Sequence, residues 1–137
     1  MAFKIYSTDD NRVPGIEYLP ASAITPKVGM ALTQTTGQLA LATGQLALAT
    51  GATAPTYISM CEKDSECTEG DIIPVIRVGK DMILETTFAA AATSIKMGDK
   101  VTLHTDGLQV TATTTNGVAE VVYMDGTASG SMCRVRF

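Results

Sequence analysis

The chain contains no tryptophan, a single histidine (His104) and only seven aromatic residues among 137. Small-molecule pockets are lined by apolar and aromatic walls with a few converging polar anchors, and this composition leaves little to build one. His104 sits in "VTLHTD", where Val101 and Leu103 alternate with Thr102 and His104 on a strand. It has no partnered nucleophile, so neither a triad nor a dyad is indicated. The nucleophile elbow, the phosphate-binding loop and the dinucleotide fingerprint are all missing. Lysine and arginine total 10 and are scattered, against 14 acidic residues, so there is no basic stripe to track a phosphate backbone. No window approaches the roughly 18 apolar residues of a membrane-crossing helix. The opening residues "MAFKIYSTDDNRVPG" lack the apolar core of a secretory leader. The expectation is a protein with no catalytic residues, no cofactor, no nucleic-acid partner and no membrane partner.

Cysteine is scarce and odd in number: Cys61, Cys67 and Cys133. An odd count without a secretory leader predicts free thiols in a reducing compartment. Cys61 and Cys67 bracket the one dense polar cluster, "CEKDSECTEGD". The five-residue gap between them is not the spacing of structural zinc pairs, and no second Cys or His pair lies downstream. The loop also lacks the alternating ligands and central glycine of an EF-hand. It reads as a solvated turn, and no metal ligands are assigned.

The sequence is rich instead in threonine (20 residues), valine and glycine, of which there are 12. That mixture predicts many short strands joined by tight turns. The class is all-β, a small barrel or sandwich. "VGMALTQ" and "TYISMCE" are strand-like, the latter with Tyr57, Ser59 and Cys61 on one side and Ile58 and Met60 on the other. "DIIPVIRVGKDMILETTF" reads as a hairpin turning at Gly79-Lys80, with Pro74 placing its strand at an edge or bulge. "IKMGDKVTLHTDGLQVTATT" reads as a second, turning at Asp106-Gly107. "NGVAEVVYMD" and "GSMCRVRF" complete the set, with Cys133, Val135 and Phe137 facing opposite to Arg134 and Arg136. A short helical turn is predicted only at Ala89–Ala92.

Residues 1–28 differ in composition from the rest of the chain. Three of the five prolines lie here (Pro14, Pro20, Pro26), each removing a backbone donor and favouring extended conformations. The segment nevertheless carries Phe3, Ile5, Tyr6, Val13, Ile16, Tyr18 and Leu19, which is not the composition of a disordered tail. It reads as an extended arm preceding a domain over 29–137, its apolar groups covering a partner by strand addition or packing on its own core.

Gly37–Gly51, "GQLALATGQLALATG", repeats seven residues letter for letter. Three glycines at about 1 kcal/mol each argue against a helix, and two heptads are too few for a coiled coil. As strands turning at Thr43-Gly44, Leu41 would face Leu46 and Leu39 would face Leu48. The repeat therefore reads as an elongated hairpin, the product of a duplication in a tolerant loop. Its leucines are a candidate contact between subunits.

In arrangement, "AITPKVGMALTQTTGQLALATG", "PTYISMCE" and "DIIPVIRVGKDMILETTF" resemble the lambda-like head decoration family of tailed phages over about residues 22–88. "MGDKVTLHTDG" and "NGVAEVVYMDGTASGSMCRVRF" are similar to another group of small capsid-associated β-barrels. The duplicated heptad, the arm and the acidic loop depart from both patterns. The resemblance implies a decoration or cement protein, made in the host cytoplasm and carried on the capsid exterior of the virion. It would clamp neighbouring copies of the major capsid protein and act as a homotrimer. Two alternatives stand: a phage tail or head-fibre base component, and a small cytoplasmic ligand-binding β-barrel.

Overall fold

The computed structural model describes residues 2–8, 14–36 and 43–137. Ten strands and no helix are found among them: β1 Lys4–Ser7, β2 Ile16–Ala21, β3 Ala31–Thr36, β4 Thr43–Leu48, β5 Tyr57–Ser59, β6 Asp71–Arg77, β7 Ile83–Thr87, β8 Lys100–Val101, β9 Ala119–Met124 and β10 Met132–Arg136. The protein is all-β, as its composition predicts. Strands β2-β4-β3-β5-β6 close into a barrel, and β1-β7-β10-β9-β8 form a five-stranded sheet. Among the described strands every strand–strand ladder is antiparallel except the barrel seam, where β2 meets β4 in parallel at Ala21↔Leu46.

Two apolar cores arise from strand alternation. Ala21, Leu32, Leu46, Tyr57, Ile73 and Val75 fill the barrel, joined at one end by Ile24, Met30 and Cys67. The second core lies between barrel and sheet, where Ala31, Ala49, Ile58 and Ile76 meet Leu84, Phe88, Val121, Cys133 and Val135. Strand β5 shows the division in three residues: Tyr57 points into the barrel and Ile58 into the layer between, while Ser59 is fully buried. Ser59 is satisfied locally, since its hydroxyl donates to the Cys61 carbonyl at 3.0 Å.

Several local expectations hold. Cys133 and Val135 are buried while Arg136 is exposed. Asp106-Gly107 lies in a turn, with the Gly107 N–H donating to the His104 carbonyl and the His104 N–H to that of Gln109. Asp106 Oδ1 accepts the Leu108 N–H at 2.8 Å, and Gly107 sits at φ +69°; left-handed backbone of this kind is available to glycine at no steric cost.

Others are refined or corrected. Within the N-terminal segment, the described strands Lys4–Ser7 and Ile16–Ala21 pack on the chain's own fold, the second of the two readings: β1 pairs with β7, and β2 pairs with β6 along its whole length. Phe3 is 2% exposed and packs on Phe137 with ring centroids 5.8 Å apart. The prolines that made the segment look detached occur where ladder donors are not needed. In an antiparallel ladder a residue's N–H and C=O face the same neighbour. Pro74 shows the same logic in β6: its carbonyl accepts the Met60 N–H just past Ser59, where β5 has ended.

Gly79-Lys80 does not join a hairpin. Both sides of β6 are taken by β2 and β5, and both sides of β7 by β1 and β10, so the turn carries the chain from barrel to sheet. Thr43-Gly44 is likewise no turn. It opens β4, which pairs with β3 through Leu32↔Leu48, Thr33↔Ala47, Gln34↔Leu46 and Thr35↔Gln45. Pairing there places Leu46 in the barrel core and Leu48 against it, a burial that two copies of the heptad folded on each other would forgo. Leu39, Leu41 and Val13 lie outside the described residues. Ala89–Ala92 is no helix; it contains a bend, and the Ile95 N–H closes a turn onto the Ala92 carbonyl.

Candidate functional site

Strand β6 alternates between the barrel core (Ile73, Val75) and the outer barrel face (Ile72, Pro74, Ile76). Among the described residues the sheet covers that outer face only at the Ile76 end, and nothing covers the remainder. Along β2 the partners in register are Ile16↔Ile76, Tyr18↔Pro74 and Pro20↔Ile72, so Ile16, Tyr18 and Pro20 share the same outer face. Tyr18 is 70% exposed, Ile72 64% and Ile16 55%. Met60, whose N–H is bonded to the Pro74 carbonyl, extends the strip, and Val28 is exposed nearby.

The strip runs into an apolar cleft of about 160 Å³ between barrel and sheet. Its walls are Phe3, Ile5, Val28, Ile58, Met60, Ile76 and Leu84. Several large exposed apolar side chains beside an apolar cleft mark an interaction surface, whereas scattered single ones need no explanation.

The outer face of the sheet is built differently. In register across β1, β7, β10 and β9 stand Lys4, Glu85, Arg134 and Tyr123. Glu85 accepts from Lys4 at 3.1 Å and from Arg134 at 3.2 Å. These two bonds, the Lys4 one foremost, hold the Glu85 carboxyl below its ordinary value. The Arg134 guanidinium lies 3.6 Å from the ring centre of Tyr6 and 4.7 Å from that of Tyr123. Tyr6 occupies the bulge between Ile5 and Ser7, and such bulges re-aim a side chain. Further along β10, Arg136 is ion-paired with Glu120, which stands opposite Lys100. Charge there is matched across the strands, as on a solvated face.

The residues named from sequence as partner contacts are thus divided. Ile16 and Tyr18 stand on the open strip. Phe3 is core, Ile5 lines the cleft, and Leu19 packs on the barrel core. Tyr6 is exposed on the charged sheet face instead. Sequence reasoning missed Ile72, Met60 and Val28. The run "DIIPVI" could have flagged Ile72, because only one of two adjacent isoleucines in a strand can face one core.

Cys133 is buried, and desolvation pushes its thiol up to about 12. Burial also raises the Cys67 thiol. Neither environment makes a nucleophile. Among the described residues no cluster of His, Cys, Asp and Glu could hold a metal ion.

No family model and no curated protein matches the sequence. Among solved structures, the chain is similar to the N base of head fiber gp8.5 of bacteriophage phi29, with a TM-score of 0.55 at 15% identity. The likeness covers 91% of this chain and 94% of that one, so it spans barrel and sheet together. At this identity it is a likeness of fold.

Proposed function

We propose that this chain is a structural component of a phage head: a base that seats on the capsid exterior, of head-fibre rather than decoration type. The observation that carries the reading is the near-complete mutual coverage with a head-fiber base, met by an exposed apolar strip of Ile16, Tyr18, Ile72 and Met60. The strip and its cleft are the surface that rests on the major capsid protein. Contacts of modest individual strength become long-lived when several copies engage one lattice.

The test is co-sedimentation of the purified chain with heads of its phage made without it. Saturable binding that survives washing is expected. Heads that take up none of it at any concentration would refute the reading.

A further inference from the structure

The chain's net charge is −4. Between Cys61 and Asp71 stand five carboxylates (Glu62, Asp64, Glu66, Glu69, Asp71) and one lysine (Lys63), which is 1 − 5 = −4. The remaining nine acidic and nine basic residues cancel. The whole excess charge of the protein therefore sits in one loop. Among the described residues only Asp71 of the five is ion-paired, to Lys63 at 3.3 Å. Among the described residues Glu62, Asp64, Glu66 and Glu69 make no ion pair, and all four are exposed.

The loop is held in place. Cys67 is buried, its N–H bonded to the Ile24 carbonyl and its carbonyl to the Ala23 N–H, and the Lys63 N–H bonds the Pro26 carbonyl. Its two ends flow into the apolar strip. Met60 precedes Cys61, and Ile72 succeeds Asp71. Docked in this way, the four carboxylates form a fixed negative margin to a greasy surface.

We propose that the barrel strip docks on a different protein whose surface is apolar with a lysine- or arginine-rich flank, and that the loop steers that encounter while discouraging self-association through the same face. The inference rests on the proposed seat on the capsid and names the chemistry of its partner. A second copy is the poorer occupant, because a two-fold contact through one strip sets two like-charged loops near each other. An opposed charge margin raises association rate more than it slows dissociation, and salt screens it over about 10 Å at 0.1 M.

The experiment measures binding kinetics of the full chain to immobilised heads of its phage made without it, at 50 and 300 mM NaCl. The comparison is with a variant carrying Glu62→Gln, Asp64→Asn, Glu66→Gln and Glu69→Gln, and with Ile72→Ser. The neutralised variant should associate about tenfold more slowly at low salt, with little salt dependence and nearly the original dissociation rate. Ile72→Ser should chiefly speed dissociation. Equal association rates for neutralised and natural chains at low salt would overturn the steering role while leaving the seat on the head intact. No binding by the natural chain at either salt would overturn both. Self-association of the natural chain that Ile72→Ser abolishes would make a second copy the occupant and overturn the proposal.

Discussion

Gly29 shows how single atoms fix this fold. Its backbone sits at φ +82°, and a Cβ there would run into the Phe3 carbonyl oxygen and the Ala2 side chain. The Phe3 N–H bonds the Gly29 carbonyl at 3.0 Å, and the Gly29 N–H bonds that of Ser59 at 2.8 Å. Gly29→Ala should destabilise by about 2 kcal/mol or more, from left-handed strain plus the backbone clash. Gly79→Ala, with open space around it and no positive φ, is the control and should change stability little; urea denaturation distinguishes them. Acid sensitivity is also a single-residue matter. Because Glu85 is held below its ordinary 4.5 by Lys4 and Arg134, the folded state binds its proton less readily than the unfolded one. Stability from this group is present above the unfolded value and is lost as pH falls through the depressed one. Melting temperature should therefore decline on acidification, and Glu85→Gln should weaken that dependence. Cys133 acts at the other end of the scale: its thiol is raised to about 12, so stability falls as pH climbs from about 9 toward that value. Alkylation of the native protein near neutral pH should mark Cys61, which is partly exposed, before Cys67 and Cys133, which are buried.

The elements respond as their pairings dictate. Phe3 lies in the core between barrel and sheet, so Phe3→Ala should cost about 3 kcal/mol or more. A chain lacking residues 2–20, which loses β1 and most of β2, should fail to show a cooperative thermal transition. The repeat gives the opposite expectation. Removing residues 37–43 joins Thr36 to Gly44 and leaves Thr35↔Gln45 enclosing a two-residue connection of X-Gly type, a natural hairpin loop. That variant should melt within a few degrees of the natural chain. Strand β10 was legible in sequence, because Cys133 and Val135 face the core and Arg134 and Arg136 do not, a period of two written in one segment. The turn at Asp106-Gly107 was legible for the same reason, since its geometry is local. Gly79-Lys80 misled because turn chemistry says that the chain reverses, not which neighbours the two strands then find. Prolines obscured β2, where ladder bonds to one neighbour tolerate Pro20. Of the candidate surface, Ile16 and Tyr18 were visible in advance. Ile72 was half visible: "DIIPVI" says that one of the two isoleucines leaves the barrel core, but whether the sheet then covers it depends on how far the sheet extends over the barrel.

For the whole molecule, two faces of one small body differ in kind. The outer sheet face matches Lys4, Glu85, Arg134, Glu120 and Arg136 across its strands, while the barrel face leaves Ile16, Tyr18 and Ile72 to solvent beside an acidic loop in which, among the described residues, Glu62, Asp64, Glu66 and Glu69 make no ion pair. Under the proposed function, only the second face meets the capsid. Hydrogen exchange of the full chain, free and seated on the heads used in the co-sedimentation test, reads this directly. Peptides covering residues 16–20 and 60–74 should become protected on seating, and those covering 120–136 should exchange as in the free protein. Protection of 120–136 with no change at 16–20 and 60–74 would place the contact on the charged sheet and overturn the apolar seat.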